Sequence, residues 1–119
     1  MARSRIDDAQ GTAAVRAWQT GVAGARRDIL ALAVRYTLQL LAEKAPGNAV
    51  EMRVPPFGAV QCIEGPRHTR GTPPNVIETD AASWLALALG SLPWAEAVAS
   101  GRVHASGQRA DLIGQLPLL

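Results

Sequence analysis

Apolar residues recur along residues 26–44 at the three- to four-residue spacing of an α-helix. Polar side chains at Arg35 and Glu43 lie on the opposite side, and Pro46 followed by Gly47 ends the pattern. The sequence therefore predicts one long amphipathic helix, whose wide apolar face needs a sheet to pack against. The stripe itself consists of Leu30, Val34, Leu38 and Leu41.

A second helical pattern precedes it, over residues 5–21. Asp7 and Asp8 stand where acidic groups favour a helix N-terminus, and Val15 and Trp18 share a face. Gly21 and Gly24 end the segment. We expect residues 1–24 to form an N-terminal helical arm and residues 25–119 to form the core of a single domain.

The middle of the chain changes to an alternating pattern. Val50, Met52 and Val54 alternate with charged residues, so residues 48–54 are predicted to be a strand that Pro55 ends. Residues 57–64 are predicted to pair with it antiparallel. A proline- and glycine-rich loop then leads to a short strand over residues 76–79.

The stretch from Asp80 to Gly107 contains the clearest boundary signals. Asp80 is a good N-cap for a helix over residues 81–89, and Gly90 can take the left-handed conformation that ends it. Pro93 suits the start of a short second helix, and residues 102–106 alternate like a strand. After Gly107, residues 109–115 are predicted to form a last short helix.

The helix over residues 81–89 is apolar all round, whereas a surface helix normally has a polar face. It must therefore be covered on two sides. The sheet is one cover, and the sequence leaves the other open between a second helix, a bound apolar molecule and a partner subunit.

Composition fits one small folded domain. The chain has 119 residues, of which 48% are hydrophobic and 18% charged, a balance typical of globular proteins. Its formal net charge is only +2, and no basic tract is interleaved with aromatic residues. We therefore expect no nucleic-acid partner.

The compartment is inferred from three negative features. A single cysteine, Cys62, cannot form an internal disulfide, and the N-terminus lacks an apolar stretch typical of secretion. The most apolar run is interrupted by Arg35 and is shorter than the roughly 20 residues that span a bilayer. A cytoplasmic location is expected.

Motifs for catalysis are missing. The sequence contains no nucleophile elbow or dinucleotide fingerprint, and the glycine pair at Gly65 and Gly71 lacks the lysine of a phosphate-binding loop. Cys62, His68 and His104 include no close ligand pair for a metal. We expect neither an enzyme nor a cofactor.

The loop from Gly65 to Asn75 concentrates positive charge. Arg67, His68 and Arg70 could hold an anionic head group such as a phosphate or carboxylate. The alternative is a solvated basic loop that forms local ion pairs.

The segment from Asp80 to Gly107 resembles the C-terminal half of the sterol carrier protein type 2 family. Residues 57–80 look characteristic of its short bacterial members. Trp94 stands where the family usually has proline, and the middle strands are abbreviated, which could shrink or fill a tunnel. The shared pattern is Asp80, Leu85, Gly90, Pro93, Ala97, Gly101, Val103 and Gly107.

The resemblance implies an α+β fold in which helices cover a single curved, largely antiparallel sheet, with an apolar tunnel between them. It implies binding or carrying of a fatty acyl chain, sterol or phospholipid without catalysis. Transient membrane contact and a monomer or homodimer are compatible with it. The alternative is a protein-interaction or dimerisation module with a filled tunnel. The implied tunnel walls are Trp84, Leu85, Ala88, Leu89, Ala97, Val98 and Leu112.

Overall fold

The computed structural model describes residues 4–21, 26–65 and 75–119. Within these residues the chain forms four helices and four strands, which confirms the α+β class and the N-terminal helix. In chain order the elements are α1 (Asp8–Gln19), α2 (Arg27–Lys44), β1 (Val50–Val54), β2 (Gly58–Cys62), β3 (Asn75–Thr79), α3 (Ala81–Leu89), α4 (Trp94–Ala99) and β4 (Val103–Ser106).

The four described strands form one sheet in the order β2-β1-β3-β4. β1 pairs antiparallel with β2, and β3 pairs antiparallel with β4, so the predicted largely antiparallel sheet is confirmed. The central pair, β1 and β3, is parallel, with Met52 opposite Ile77.

One face of the sheet is buried. Val50, Met52 and Val54 have no exposed surface, and the intervening Glu51 and Arg53 are half-buried. The inward side chains of β1 and β3 join those of α2 and α3 in one apolar cluster. The alternation predicted for β1 therefore places the core between the sheet and the helices.

Helix α3 is bounded as its sequence predicts. The backbone N–H of Ser83 donates to Asp80 Oδ1 at 2.8 Å, and Gly90 ends the helix with a φ of +83°. Helix α2 covers one side of α3. The C-terminal segment contributes to the other cover, because the backbone N–H of Leu118 donates to the carbonyl of Ala88 at 2.8 Å.

Helix α1 packs against α2. The Tyr36 hydroxyl donates to Asp8 Oδ1 at 2.8 Å, while Ile6 and Gln39 exchange two hydrogen bonds of 2.8 and 3.0 Å. Val15 of α1 is buried in the core cluster. The division into residues 1–24 and residues 25–119 stays a prediction.

The prediction of a helix over residues 109–115 is wrong. This part of the chain forms turns instead. Asp111 Oδ1 accepts from the backbone N–H of Ile113 at 2.7 Å, and Gly114 has a φ of +86°. A local side-chain turn and a left-handed glycine both compete with helical geometry.

Candidate functional site

A cavity of about 340 Å³ lies between the end of α3, the start of α4 and the C-terminal segment. We call it the C-terminal cleft. None of the described residues that line it is charged. The apolar side chains around it include Leu87, Leu92, Trp94, Leu112, Ile113 and Leu116.

Two turns shape the C-terminal cleft. The left-handed Gly90 redirects the chain after α3, and Pro93 then begins α4 so that Trp94 lies at the cleft. The C-terminal segment lies opposite these helices and is held to α2 by Lys44, whose ammonium donates to the carbonyl of Gln115 at 2.7 Å. The C-terminal segment is therefore held against α2 by the Lys44 ammonium and against α3 by the backbone hydrogen bond from Leu118 to Ala88.

The floor and the mouth of the C-terminal cleft differ in exposure. Leu87 and Leu112 are buried at the floor, whereas Ile113 is 68% exposed. An exposed large aliphatic side chain beside an uncharged cavity is suited to contact an apolar guest or an apolar surface.

The predicted tunnel-wall residues fall into three environments. Leu112 lines the C-terminal cleft, while the exposed Val98 lines a separate depression of about 550 Å³ beside β4. Leu89 is half-buried. The rest have no exposed surface and belong to the core cluster: Trp84, Leu85, Ala88 and Ala97.

The three predicted head-group residues lie outside the described residues. Arg67, His68 and Arg70 all fall within residues 66–74. His104 belongs to β4, is exposed and lines the same depression as Val98.

A second cavity, of about 430 Å³, was not anticipated from the sequence. We call it the α2 groove. It lies between the segment Ser4–Ile6, the outer side of α2 and the chain from Phe57 to Val60. The four-residue spacing of Arg35, Gln39 and Glu43 indicated a polar line along α2. It did not indicate that residues distant in sequence, from the N-terminal segment and from β2, would contact this line and form a cavity.

An ion-pair cluster closes one end of the α2 groove. Arg5 donates to Glu43 at 2.6 Å and to Asp8 at 3.0 Å. These hydrogen bonds raise the pKa of Arg5 and lower that of Glu43. The pKa of Asp8 is lowered as well, first by the hydrogen bond from Tyr36 and then by Arg5. One guanidinium therefore pairs with two carboxylates at this end, which leaves the cluster with a net charge of −1.

Reactive groups are sparse in the described part of the chain. It contains no group of three His, Cys, Asp or Glu side chains that could hold a metal ion. Cys62 is fully buried, and desolvation raises the pKa of its thiol to about 11. Such a thiol is not activated as a nucleophile.

Among the described helices, none combines the length and the apolarity needed to cross a bilayer.

Comparison with known proteins gives one family. A comparison with curated proteins found no match. The sequence pattern of a family described as "Bacterial SCP ortholog" matches residues 26–118, from the start of α2 almost to the C-terminus. This range covers the sheet, α2, α3, α4 and the C-terminal cleft, and leaves out α1. The chain therefore belongs to the bacterial SCP orthologs, a sterol-carrier-like family.

Proposed function

We propose that this protein binds and carries an apolar, lipid-like molecule without catalysis, and that the apolar part of this molecule occupies the C-terminal cleft. The observation that supports this most directly is a cleft whose described lining residues carry no charge, floored by Leu87 and Leu112, within the region that matches the family. Its volume lies at the lower end of the range of small-molecule sites, which starts at about 300 Å³.

Burial of hydrocarbon supplies the affinity. Each methylene removed from water contributes about 0.8 kcal/mol, so a guest needs no polar contact with the cleft to bind. An acyl chain or one end of a sterol would pack on Leu112 and Trp94, with Ile113 at the mouth. A guest longer than the cleft would keep part of its surface exposed.

The remaining predicted residues complete the proposal. Trp84, Leu85, Ala88, Leu89 and Ala97 would form deeper walls if binding displaced side chains around α3. Arg67, His68 and Arg70 would hold an anionic head group. Ile113 would allow transient membrane contact during uptake and release. The protein would act in the cytoplasm, as a monomer or homodimer and without a cofactor.

Binding is tested with delipidated protein and a panel of a fluorescent fatty acid, an acyl-CoA and a sterol. Affinity in the micromolar range or better is expected for at least one of them. Native mass spectrometry of freshly purified protein should show a lipid-sized adduct. A panel with no binder would overturn the proposed function.

Substitutions at two exposed positions test where the lipid-like ligand binds. Ile113→Asp places a charge at the mouth of the C-terminal cleft, and Val98→Asp places the same charge in the depression beside β4. Both side chains are exposed, so neither substitution should unfold the protein. Ile113→Asp is expected to weaken binding and Val98→Asp to leave it unchanged. If Val98→Asp weakened binding and Ile113→Asp did not, the ligand would instead be assigned to the depression beside β4.

A second candidate is an interaction or dimerisation module with a filled interior. It is favoured by one observation: Trp84, Leu85 and Ala88 have no exposed surface and pack among the other side chains of the core cluster. Light scattering that gives a concentration-independent dimer, together with no lipid binding, would support it. A lipid-binding monomer would exclude it.

A further inference from the structure

Two arginines lie beside Phe57, which lines the α2 groove, and neither has a carboxylate partner among the described residues. Arg35 donates from Nε to the carbonyl of Phe57 at 2.9 Å, and the guanidinium of Arg27 lies 5.2 Å from the centre of the Phe57 ring. All ten acidic residues of the sequence are in the described part of the chain. The ion pairs found there involve Arg5, Arg26 and Arg53, and none reaches Arg27 or Arg35.

The walls of the α2 groove between its two ends are largely apolar. Leu38 is buried at its base, and the partly buried Ile6, Phe57 and Val60 pack around it. The far end is closed by the ion-pair cluster of Arg5 with Glu43 and Asp8, in which the positive charge of Arg5 is fully paired. Among the described residues that line the groove, Arg35 is therefore the one positive charge without a carboxylate partner.

We propose that the α2 groove binds a small amphiphile with an anionic head, either a carboxylate or a phosphate monoester. The head lies on Arg35 and the chain runs over Leu38 towards Glu43. Arg35 and Glu43 are eight positions apart on one helix, or about 12 Å at 1.5 Å per residue. The site is separate from the C-terminal cleft and does not depend on the proposed function.

The geometry of Arg35 suits it to hold an anion. Its Nε is already fixed by Phe57, which leaves the two terminal nitrogens of a planar fork that matches carboxylate or phosphate oxygens. The cavity of about 430 Å³ has the size and the mostly apolar lining of a small-molecule site with one polar anchor.

The test compares decanoate, decyl phosphate and 1-decanol by calorimetry on the full chain. The three share an apolar chain and differ in the head, so the two anions also show whether carboxylate or phosphate is preferred. At least one anion is expected to bind about tenfold more tightly than the alcohol, as a charge-assisted hydrogen bond would give. If neither decanoate nor decyl phosphate bound, the proposal would be overturned.

Two arginine variants test whether the anionic head binds at Arg35. Arg35→Gln is expected to lower the affinity for the anion about tenfold while leaving that for 1-decanol unchanged. Arg16→Gln removes another exposed helical arginine and serves as the matched control. Equal effects of the two substitutions would contradict the proposal.

A third variant fills the α2 groove. A Cβ at Gly58 would lie 3.4 Å from Leu38 Cδ1 and 3.8 Å from Arg35 Cγ, which are ordinary contact distances. The backbone therefore accepts a Cβ at this position, and Gly58→Val, whose two further methyl groups would occupy groove volume, is expected to weaken all three ligands. If Ile113→Asp instead removed binding of the anions and Gly58→Val did not, the ligand would belong to the C-terminal cleft. That result would overturn this inference but not the proposed function.

Discussion

The indole N–H of Trp84 donates to Oγ1 of Thr37 at 2.8 Å, and neither residue has exposed surface. The Thr37 hydroxyl in turn donates to the carbonyl of Ala33 at 2.8 Å. A polar chain thus joins α3 to α2 inside the apolar core. Because every group in it has a partner, the large Trp84 ring is buried without an unsatisfied donor.

Replacing Thr37 by Val is expected to destabilise the protein by about 1–3 kcal/mol, because it removes the acceptor and leaves the Trp84 N–H buried without a partner. The side chain keeps nearly the same shape, so the loss reports the hydrogen bond and not a cavity. Urea unfolding followed by tryptophan fluorescence measures it.

Thr20 provides the matched control. Its hydroxyl also donates to the carbonyl four residues back, that of Arg16, but it is exposed at the end of α1. Thr20→Val should change stability by less than about 0.5 kcal/mol, as surface substitutions do. Equal effects at the two sites would show that the buried hydrogen bond does not matter.

Gly11→Ala is expected to destabilise the packing of α1 on α2. A Cβ at Gly11 would overlap the ring of Tyr36, so the ring or the helix must move. Movement of the ring would also break the hydrogen bond from Tyr36 to Asp8. The cost of such overpacking is about 1–3 kcal/mol, which exceeds the gain of up to about 1 kcal/mol from the helix propensity of alanine. Thermal unfolding measures it.

A double-mutant cycle tests the cause. In a Tyr36→Ala background the clash is absent, so Gly11→Ala should become neutral or stabilising. A Gly11→Ala variant that is more stable than the wild type in the natural background would refute the close packing.

Local signals were sufficient for most elements of the fold. The Asp80 cap, the left-handed Gly90 and the apolar stripe of α2 each act within a few residues, so sequence reasoning placed α2 and α3 correctly. The same reasoning failed at residues 109–115, because the turn there depends on one hydrogen bond from Ile113 to Asp111.

The cavities were less accessible to sequence reasoning. The α2 groove exists because Ile6 and Gln39, 33 residues apart, exchange hydrogen bonds. Periodicity cannot reveal such a long-range contact. It also cannot show that Leu112 and Val98, both predicted to line one tunnel, line different cavities.

Asp80→Asn is expected to make stability less sensitive to acid. Burial raises the pKa of Asp80, but hydrogen bonds from the backbone and hydroxyl of Ser83 outweigh it, so this pKa lies below its ordinary value. A lowered folded-state pKa gives stability that is present above the unfolded pKa of about 3.9 and is lost as the pH falls through the folded one. Denaturant unfolding between about pH 5 and pH 2 measures the slope.

Two comparisons separate capping from charge. Asn caps a helix about as well as Asp, so Asp80→Asn should keep most of the stability at pH 7, whereas Asp80→Ala should cost about 1 kcal/mol. Part of the acid slope should persist in both variants, since the pKa values of Asp8 and Glu43 are also lowered. An unchanged slope in Asp80→Asn would exclude Asp80 as a source of the acid sensitivity.

The Cys62 thiol is expected to react with iodoacetamide at pH 7 only as fast as the protein opens. Desolvation raises its pKa to about 11, so almost no thiolate is present and the reagent cannot reach it. Because the folded-state pKa is raised, the folded protein holds this proton more tightly, and stability should fall as the pH rises above about 8.5, the ordinary pKa of cysteine. Cys62→Ala should flatten that alkaline slope. Labelling of the native protein at the rate of a free thiol would mean that β2 does not bury this side chain in solution.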